Sequence, residues 1–302
     1  MSTETADRLS GRTTMWELVC RVARGVLKDN CDGYAAQAAF FFLFALFPCL
    51  LTLTTLLAYL PVPDLFQVLL NILGRFVPND ILVLVEDNLC TLVSVQQGGL
   101  LSIGVLLSLW TSSNAVITVQ IAMNEAYGTE EQRPYWKVRL ISVYLVIGFT
   151  SFIITSLLLL IFGPLIGIWL ASLANLGDAF AVAWRLLRWP TILGLMMAAL
   201  STLYRYAPAI PLPWRETTPG AVTATVAWVA VTLAFSFYVD NFGSYNKTYG
   251  SIGAVMALLV WMYASAFLIL LGGEINARLR ELLRERQSKN ETQEPAGLAP
   301  DE

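Results

Sequence analysis

Chemistry in this chain would have to come from a few polar side chains set among long apolar runs. Asn124 and Glu125 close one run, Arg205 closes another, and Glu274 ends the last. Gln37 and Asn114 lie inside runs, and Asp240 ends the fifth, which makes these three secondary candidates. A cation and carboxylates at similar depth can pair, here Arg205 with Glu274 or Glu125. Such a pair is either glue between helices or the inner gate of a pathway, because an unpaired charge in a bilayer is costly. The plainer alternative is that each residue caps a helix end, pairs between helices or sits at headgroup depth.

Several other chemistries find no residues to carry them. The chain has no His, so no imidazole serves as base, acid or metal ligand. Its four Cys (Cys20, Cys31, Cys49, Cys90) lack metal-type spacing, and a disulfide framework is not expected from them. No HExxH, no GxSxG and no phosphate-cradling Gly-rich loop occurs. No cofactor and no catalytic activity are therefore expected.

The elements that must position the polar set are apolar helices. Of the 302 residues, 56% are hydrophobic and 14% charged, with a mean hydropathy of +0.62. Soluble domains carry about 25% charged residues, so this chain reads as an integral membrane protein. Charges are absent between Asp32 and Asp64, Asp87 and Glu125, Arg139 and Asp178, Arg188 and Arg205, Glu216 and Asp240, and Lys247 and Glu274. A crossing needs about 20 apolar residues. Only 189–204, with 16 residues, falls short, and it reaches length if Arg188 or Arg205 is drawn into the span. The 38-position window after Arg139 exceeds one crossing, and Gly163-Pro164 is expected to kink or end its helix.

The expected fold is all-α, a polytopic bundle of six transmembrane helices. The spans fall at about 34–60, 98–121, 140–163, 186–206, 217–239 and 250–273. Residues 1–31 form an N-terminal segment, 32–275 the membrane domain, and 276–302 a charged helix end with a disordered tail. Fifteen of the 19 Lys and Arg fall on one side of this topology, which puts both termini in the cytoplasm. Residues 1–30 lack the form of a cleavable signal, so the first span is expected to act as an uncleaved one.

Trp16, Val19, Val22 and Val26 recur at helical spacing with Arg21, Arg24 and Lys28 between them. This predicts a short basic amphipathic helix, either on the cytoplasmic membrane surface or packed under the bundle. The outer connection, 62–97, is divided by prolines into two short apolar helices that rest on the outer surface or cap a cavity. Ala35, Ala36, Ala38 and Ala39, Gly104 with Ser108, and Gly250, Gly253, Ala254 and Ala257 form small-residue faces suited to close helix approach. Trp261 and Tyr263 lie mid-window and are expected to pack inside or line a cavity.

From Asp32 to Ile275 the chain resembles the YihY/BrkB family of bacterial inner-membrane proteins, historically labelled ribonuclease BN. The resemblance rests on Asp32 with Ala38-Ala39, Pro48, Asn124 before Arg133-Pro134, and Gly163-Pro164-Leu165. It continues through Tyr204 with Pro208, and Pro213 before Gly220-Ala221. It ends in Tyr245, Tyr249-Gly250, Trp261, Tyr263 and Leu271-Gly272-Gly273-Glu274-Ile275, which adds Tyr245 and Tyr249 to the secondary candidates. Gly273 stands where many members have Ala. The resemblance implies six spans with both ends inside and a multi-pass place in the bacterial inner membrane. It brings no settled activity.

RNA hydrolysis needs an acid and base or a metal cluster at an accessible nucleotide site, and this chain offers neither. The leading expectation is a transporter, channel or lipid-handling protein of unknown substrate. The alternative is a non-transporting scaffold or assembly factor, and a membrane ribonuclease comes third. The expected partners are the lipid bilayer and an unidentified substrate or membrane protein, without nucleic acid, and an oligomer is compatible with the pattern.

Overall fold

The computed structural model describes residues 3–59, 98–173, 177–242 and 246–293. The expectations for the 62–97 connection, for Tyr245 and for the tail beyond 293 lie outside these residues. The side chains of Asp240 and Tyr249 lie outside the description as well.

Among the described residues there are seven helices and no strands: α1 (Thr3–Lys28), α2 (Cys31–Tyr59), α3 (Gly98–Ala126), α4 (Tyr135–Leu173), α5 (Gly177–Tyr206), α6 (Trp214–Phe242) and α7 (Asn246–Gln293). Six of them, α2 to α7, are long and apolar enough to cross a membrane, as the charge-free windows predict. The short fourth window grows to Leu186–Tyr206 by taking in both of its arginines. Each arginine donates to a backbone carbonyl: Arg188 Nη1 to Leu160 O at 3.2 Å, and Arg205 Nη1 to Leu212 O at 2.8 Å. Helix α4 does not end at Gly163-Pro164 but runs on to Leu173. Proline removes one backbone donor, and in an apolar medium the remaining groups have no better partner than the helix.

The spans form a closed ring. Each packs on its sequence neighbour, α2 on α3 through to α6 on α7, and α7 returns to α2, with α3 also touching α7. The α2–α3 contact is the most extensive. The small-residue face of α2 is turned into the core, where Ala35, Ala38 and Ala39 are buried and let neighbouring backbones approach closely. Ala36 turns outward.

The core occupies one half of the bundle, the half that carries both terminal helices. The last buried residue described on α2 is Ala45, on α4 Val146 and on α6 Thr225. Among the described residues, burial begins on α5 only at Leu200 and on α7 only at Ala266. Beyond those levels the described residues are almost all exposed or half-buried, and Ser236 to Val239 are four consecutive exposed residues of α6, enough for a whole turn. Gly104 of α3 is buried in this otherwise open half. From Val226 to Val239, about 20 Å at 1.5 Å per residue, no residue of α6 is buried, and Val226, Leu233, Phe237, Tyr238 and Val239 are exposed. Trp261 lies edge-on to Trp228 with centroids 6.0 Å apart, and Tyr263 stacks on Phe267, so both mid-window aromatics pack against rings.

Candidate functional site

Helix α7 is 48 residues long, about 70 Å, and its last part projects past the packed half. There it receives α1. Asp29, just after α1, accepts from Arg278 Nη2 at 2.5 Å, and Arg278 Nε donates to Glu274 Oε1 at 2.7 Å. Glu274 has no exposed surface and Asp29 is 8% exposed, so one guanidinium holds two buried carboxylates. Glu274 reaches α1 itself: a β-carbon on Gly25 would lie 1.7 Å from its Oε1. Only glycine lets the helix come this near. Arg21 adds an outer pair to Glu285 at 2.8 Å.

This settles the fate of the basic N-terminal stretch. Helix α1 is 26 residues rather than short, and it packs on α7 through Val22 and Gly25. The predicted apolar face splits, for Val22 is buried while Trp16 and Val19 are 72% and 54% exposed. Asn30 follows with φ of 50°, a left-handed turn that asparagine tolerates, and turns the chain into α2.

Two residues beyond Glu274, on the other side of α7, Asn276 crosses to α6. Its Oδ1 accepts from Gly220 N at 2.7 Å and its Nδ2 donates to Thr217 O at 3.1 Å. These bonds serve the backbone around Pro219, which has no N–H of its own. The helices meet here without room for side chains. A β-carbon on Gly220 would lie 2.0 Å from Gly272 O, and one on Gly272 would lie 2.3 Å from the Tyr204 hydroxyl. That hydroxyl donates to Ile269 O at 2.7 Å. Gly273 faces Met123 in the same way, with 2.2 Å to the sulfur.

Asn124 joins two loops. Its Oδ1 accepts from Ala209 N at 2.7 Å, in the α5–α6 connection, and its Nδ2 donates to Glu131 at 3.0 Å, in the α3–α4 connection. Arg133 completes the latch, gripping both Glu131 oxygens and donating to Ala207 O at 2.9 Å. The hydrogen bonds from Arg133 hold the Glu131 carboxyl down at about 2, below the ordinary carboxylate range. Helix α3 stops before this loop because Gly128, with φ of 58°, reverses the chain. The bonds Thr129 N to Asn124 O and Gly128 N to Glu125 O complete a Schellman cap.

The expected pairing of Arg205 with Glu274 or Glu125 is not what forms. Arg205 sits over the Trp214 ring at 5.0 Å and bonds Leu212 O, holding the α5–α6 connection. That local carbonyl lies seven residues away, whereas Glu274 is already held by Arg278. Glu125 is exposed and lines a groove of about 330 Å³ with Lys28, Tyr127, Arg280 and Arg284. Asn114 accepts from Arg139 Nη1 at 2.7 Å, and the same nitrogen reaches Ser113 at 2.6 Å. Gln37 is exposed on α2. Thus Asn124, Glu125, Arg205 and Glu274 share one end of the bundle but do not join in one cluster.

Sequence reading missed Asp29, Arg278, Glu131, Arg133 and Asn276, which carry most of these bonds. A signal existed for Arg278, since Glu274 and Arg278 stand four apart on one helix face. None existed for Asp29, 249 residues away. Cys20, Cys31 and Cys49 are free, and among the described residues no group of three His, Cys, Asp or Glu is placed to hold a metal.

Comparison with known proteins agrees with the architecture. A family described as virulence factor BrkB matches residues 22–296. A protein of Bacillus subtilis strain 168 named putative ribonuclease-like protein YfkH is 39% identical over 82% of this chain and 89% of its own. A UPF0761 membrane protein of Stenotrophomonas maltophilia strain K279a is 26% identical over 84% of this chain but only 58% of its own length. Another, from Chromohalobacter salexigens, is 30% identical over 85% of this chain and 62% of its own. The chain therefore spans about three fifths of these longer relatives. No solved structure matches it.

Proposed function

The chain belongs to the virulence factor BrkB family of multi-pass bacterial membrane proteins, and from that premise we propose that it handles amphiphilic molecules, most directly lipids, as a transporter. The observation that carries this reading is the asymmetry of the ring: one half is packed and latched, while in the other the described residues are mostly half-buried or exposed and large apolar side chains stand uncovered. With the basic end taken as cytoplasmic, the protein is closed inside and open toward the outer leaflet. The open half is apolar, with Ile153, Ile154, Leu157, Leu233 and Phe237 exposed. Such a surface suits acyl chains better than hydrated ions. The inner latch, built from Asn124, Glu131, Arg133 and the Asp29–Arg278–Glu274 trio, is the gate in this reading.

Purified protein in phospholipid vesicles tests it. Leaflet exchange of a fluorescent phospholipid should exceed that of empty vesicles. Rates equal to empty vesicles, for lipids and for other amphiphiles, overturn the reading. A second reading, a membrane scaffold, draws on the exposed Phe40, Phe44 and Phe47 of α2, which recur at helical spacing and offer a face to a partner helix. It predicts co-purification of one defined membrane partner without flux. The ribonuclease-like name belongs to the Bacillus protein, and the residues needed for that chemistry have no counterpart in the latch.

A further inference from the structure

The outer surface of α1 has two faces that its packing on α7 leaves free. Met15, Trp16, Val19, Ala23 and Leu27 recur at three- and four-residue spacing and are all exposed, Leu27 at 81%. About a third of a turn further round stand Arg24 and Lys28, which line a groove of about 530 Å³ between α1 and α7. Lys28 also borders the second groove of about 330 Å³, together with Arg284 of α7 and Glu125 of α3.

Charge in these grooves is unevenly committed. Arg21 is paired with Glu17 and Glu285, Arg278 with Asp29, Glu274 and Glu281, and Arg280 with Glu216. Among the described residues Lys28 and Arg284 enter no ion pair, and Arg24 bonds only the carbonyl of Cys20. Glu125 is likewise unpaired at the rim of the smaller groove. The result is two free cations and one free carboxylate around one opening, beside a helix whose apolar stripe faces outward. We propose that this opening binds the headgroup of a membrane phospholipid. Lys28 and Arg284 take the phosphate, and Glu125 accepts a hydrogen bond from the ammonium or hydroxyl beyond it.

Depth is what selects a lipid over free phosphate. Lys28 stands three residues before the first span begins at Cys31, and Glu125 stands one residue before the second ends at Ala126. The opening they border therefore lies at the membrane boundary, where phospholipid phosphates sit, and a lipid held there keeps its chains in the bilayer. The carboxylate narrows the class, because phosphatidylethanolamine and phosphatidylglycerol carry donors beyond the phosphate and phosphatidylcholine does not. The site goes beyond the transport reading and stands without it, since a bound lipid need not move.

Native mass spectrometry of the full chain in detergent, with each lipid added in turn, tests the site. Phosphatidylethanolamine and phosphatidylglycerol should be retained and phosphatidylcholine not. The Lys28→Gln, Arg284→Gln double variant should lose about tenfold in retention, roughly 1.4 kcal/mol. Among the described residues both positions are free of ion pairs, so its thermal unfolding should match the parent. Glu125→Gln should keep the phosphate contact and erase the preference over phosphatidylcholine. Equal retention of all three lipids, or of the double variant and the parent, overturns the proposal. So does full displacement of lipid by millimolar inorganic phosphate, which would make the site one for the free anion.

Discussion

Gly25 of the first helix rests against the carboxylate of Glu274 in the last, with less than a side chain's thickness between them. The contact is tight because both partners are fixed. Glu274 is fully buried and pinned by Arg278, and Gly25 is held by the turn that ends in Asp29. A methyl group at position 25 must push one of them away.

Gly25→Ala should therefore lift α1 from α7, at a cost of about 1–3 kcal/mol. Limited proteolysis checks it: the variant should be cut between α1 and α2 while the six spans stay intact. A variant as resistant as the parent would mean that Glu274 can move aside freely.

Arg278→Gln should be worse, because it leaves Asp29 and Glu274 as neighbouring buried carboxylates without a cation. Removing one partner of a buried pair costs about 3–5 kcal/mol. Thermal unfolding in detergent should show a fall that Glu274→Gln in the same chain partly restores. Equal melting of the single and double variants would show that the charges do not interact.

Acid should loosen the loop latch in a defined window. The folded Glu131 carboxyl sits at about 2, below its ordinary 4.5, because Arg133 hydrogen-bonds it. Its contribution to stability is full above the ordinary value and is lost as pH falls from there through about 2. Thermal unfolding measured from pH 7 to pH 3 should fall less for Glu131→Gln than for the parent. Parallel curves would remove Glu131 from the acid response.

Glycines should separate into two classes. Gly220→Ala sets a β-carbon against the carbonyl of Gly272 and should destabilise by about 2–3 kcal/mol or prevent folding. Gly148→Ala and Gly194→Ala meet nothing within 4 Å and should be neutral or stabilising by up to about 1 kcal/mol. Yield and melting temperature of the purified variants decide between the classes.

The membrane architecture was legible because the bilayer makes charge expensive: six gaps between charges became six spans, with Arg188 and Arg205 drawn into the shortest. Depth was legible for the same reason, and Asn124, Arg205 and Glu274 do lie toward one end. Direction around each helix axis was not. Arg205 turns to Leu212 and Trp214 in its own connection rather than across the ring to Glu274. The cation that Glu274 meets is one helical turn away on its own helix, and the second carboxylate comes from the far end of the chain. Pairings of that range depend on how helices rotate against one another, which charge spacing does not encode. The glycines followed a rule that composition cannot show, since Gly220 and Gly25 matter for what stands opposite them.

The docking of α1 on α7 also bears on how the protein is made. Asp29 is added to the chain 249 residues before Arg278. The ring closes through α2 and α7 as well, so the first span lacks one flank for the same interval. During synthesis the N-terminal helix is an amphipathic segment with no protein to rest on, and its exposed stripe leaves the membrane surface as its natural waiting place. The segment around Arg278 thus completes the seat of α1, and a chain truncated before position 278 would lose it.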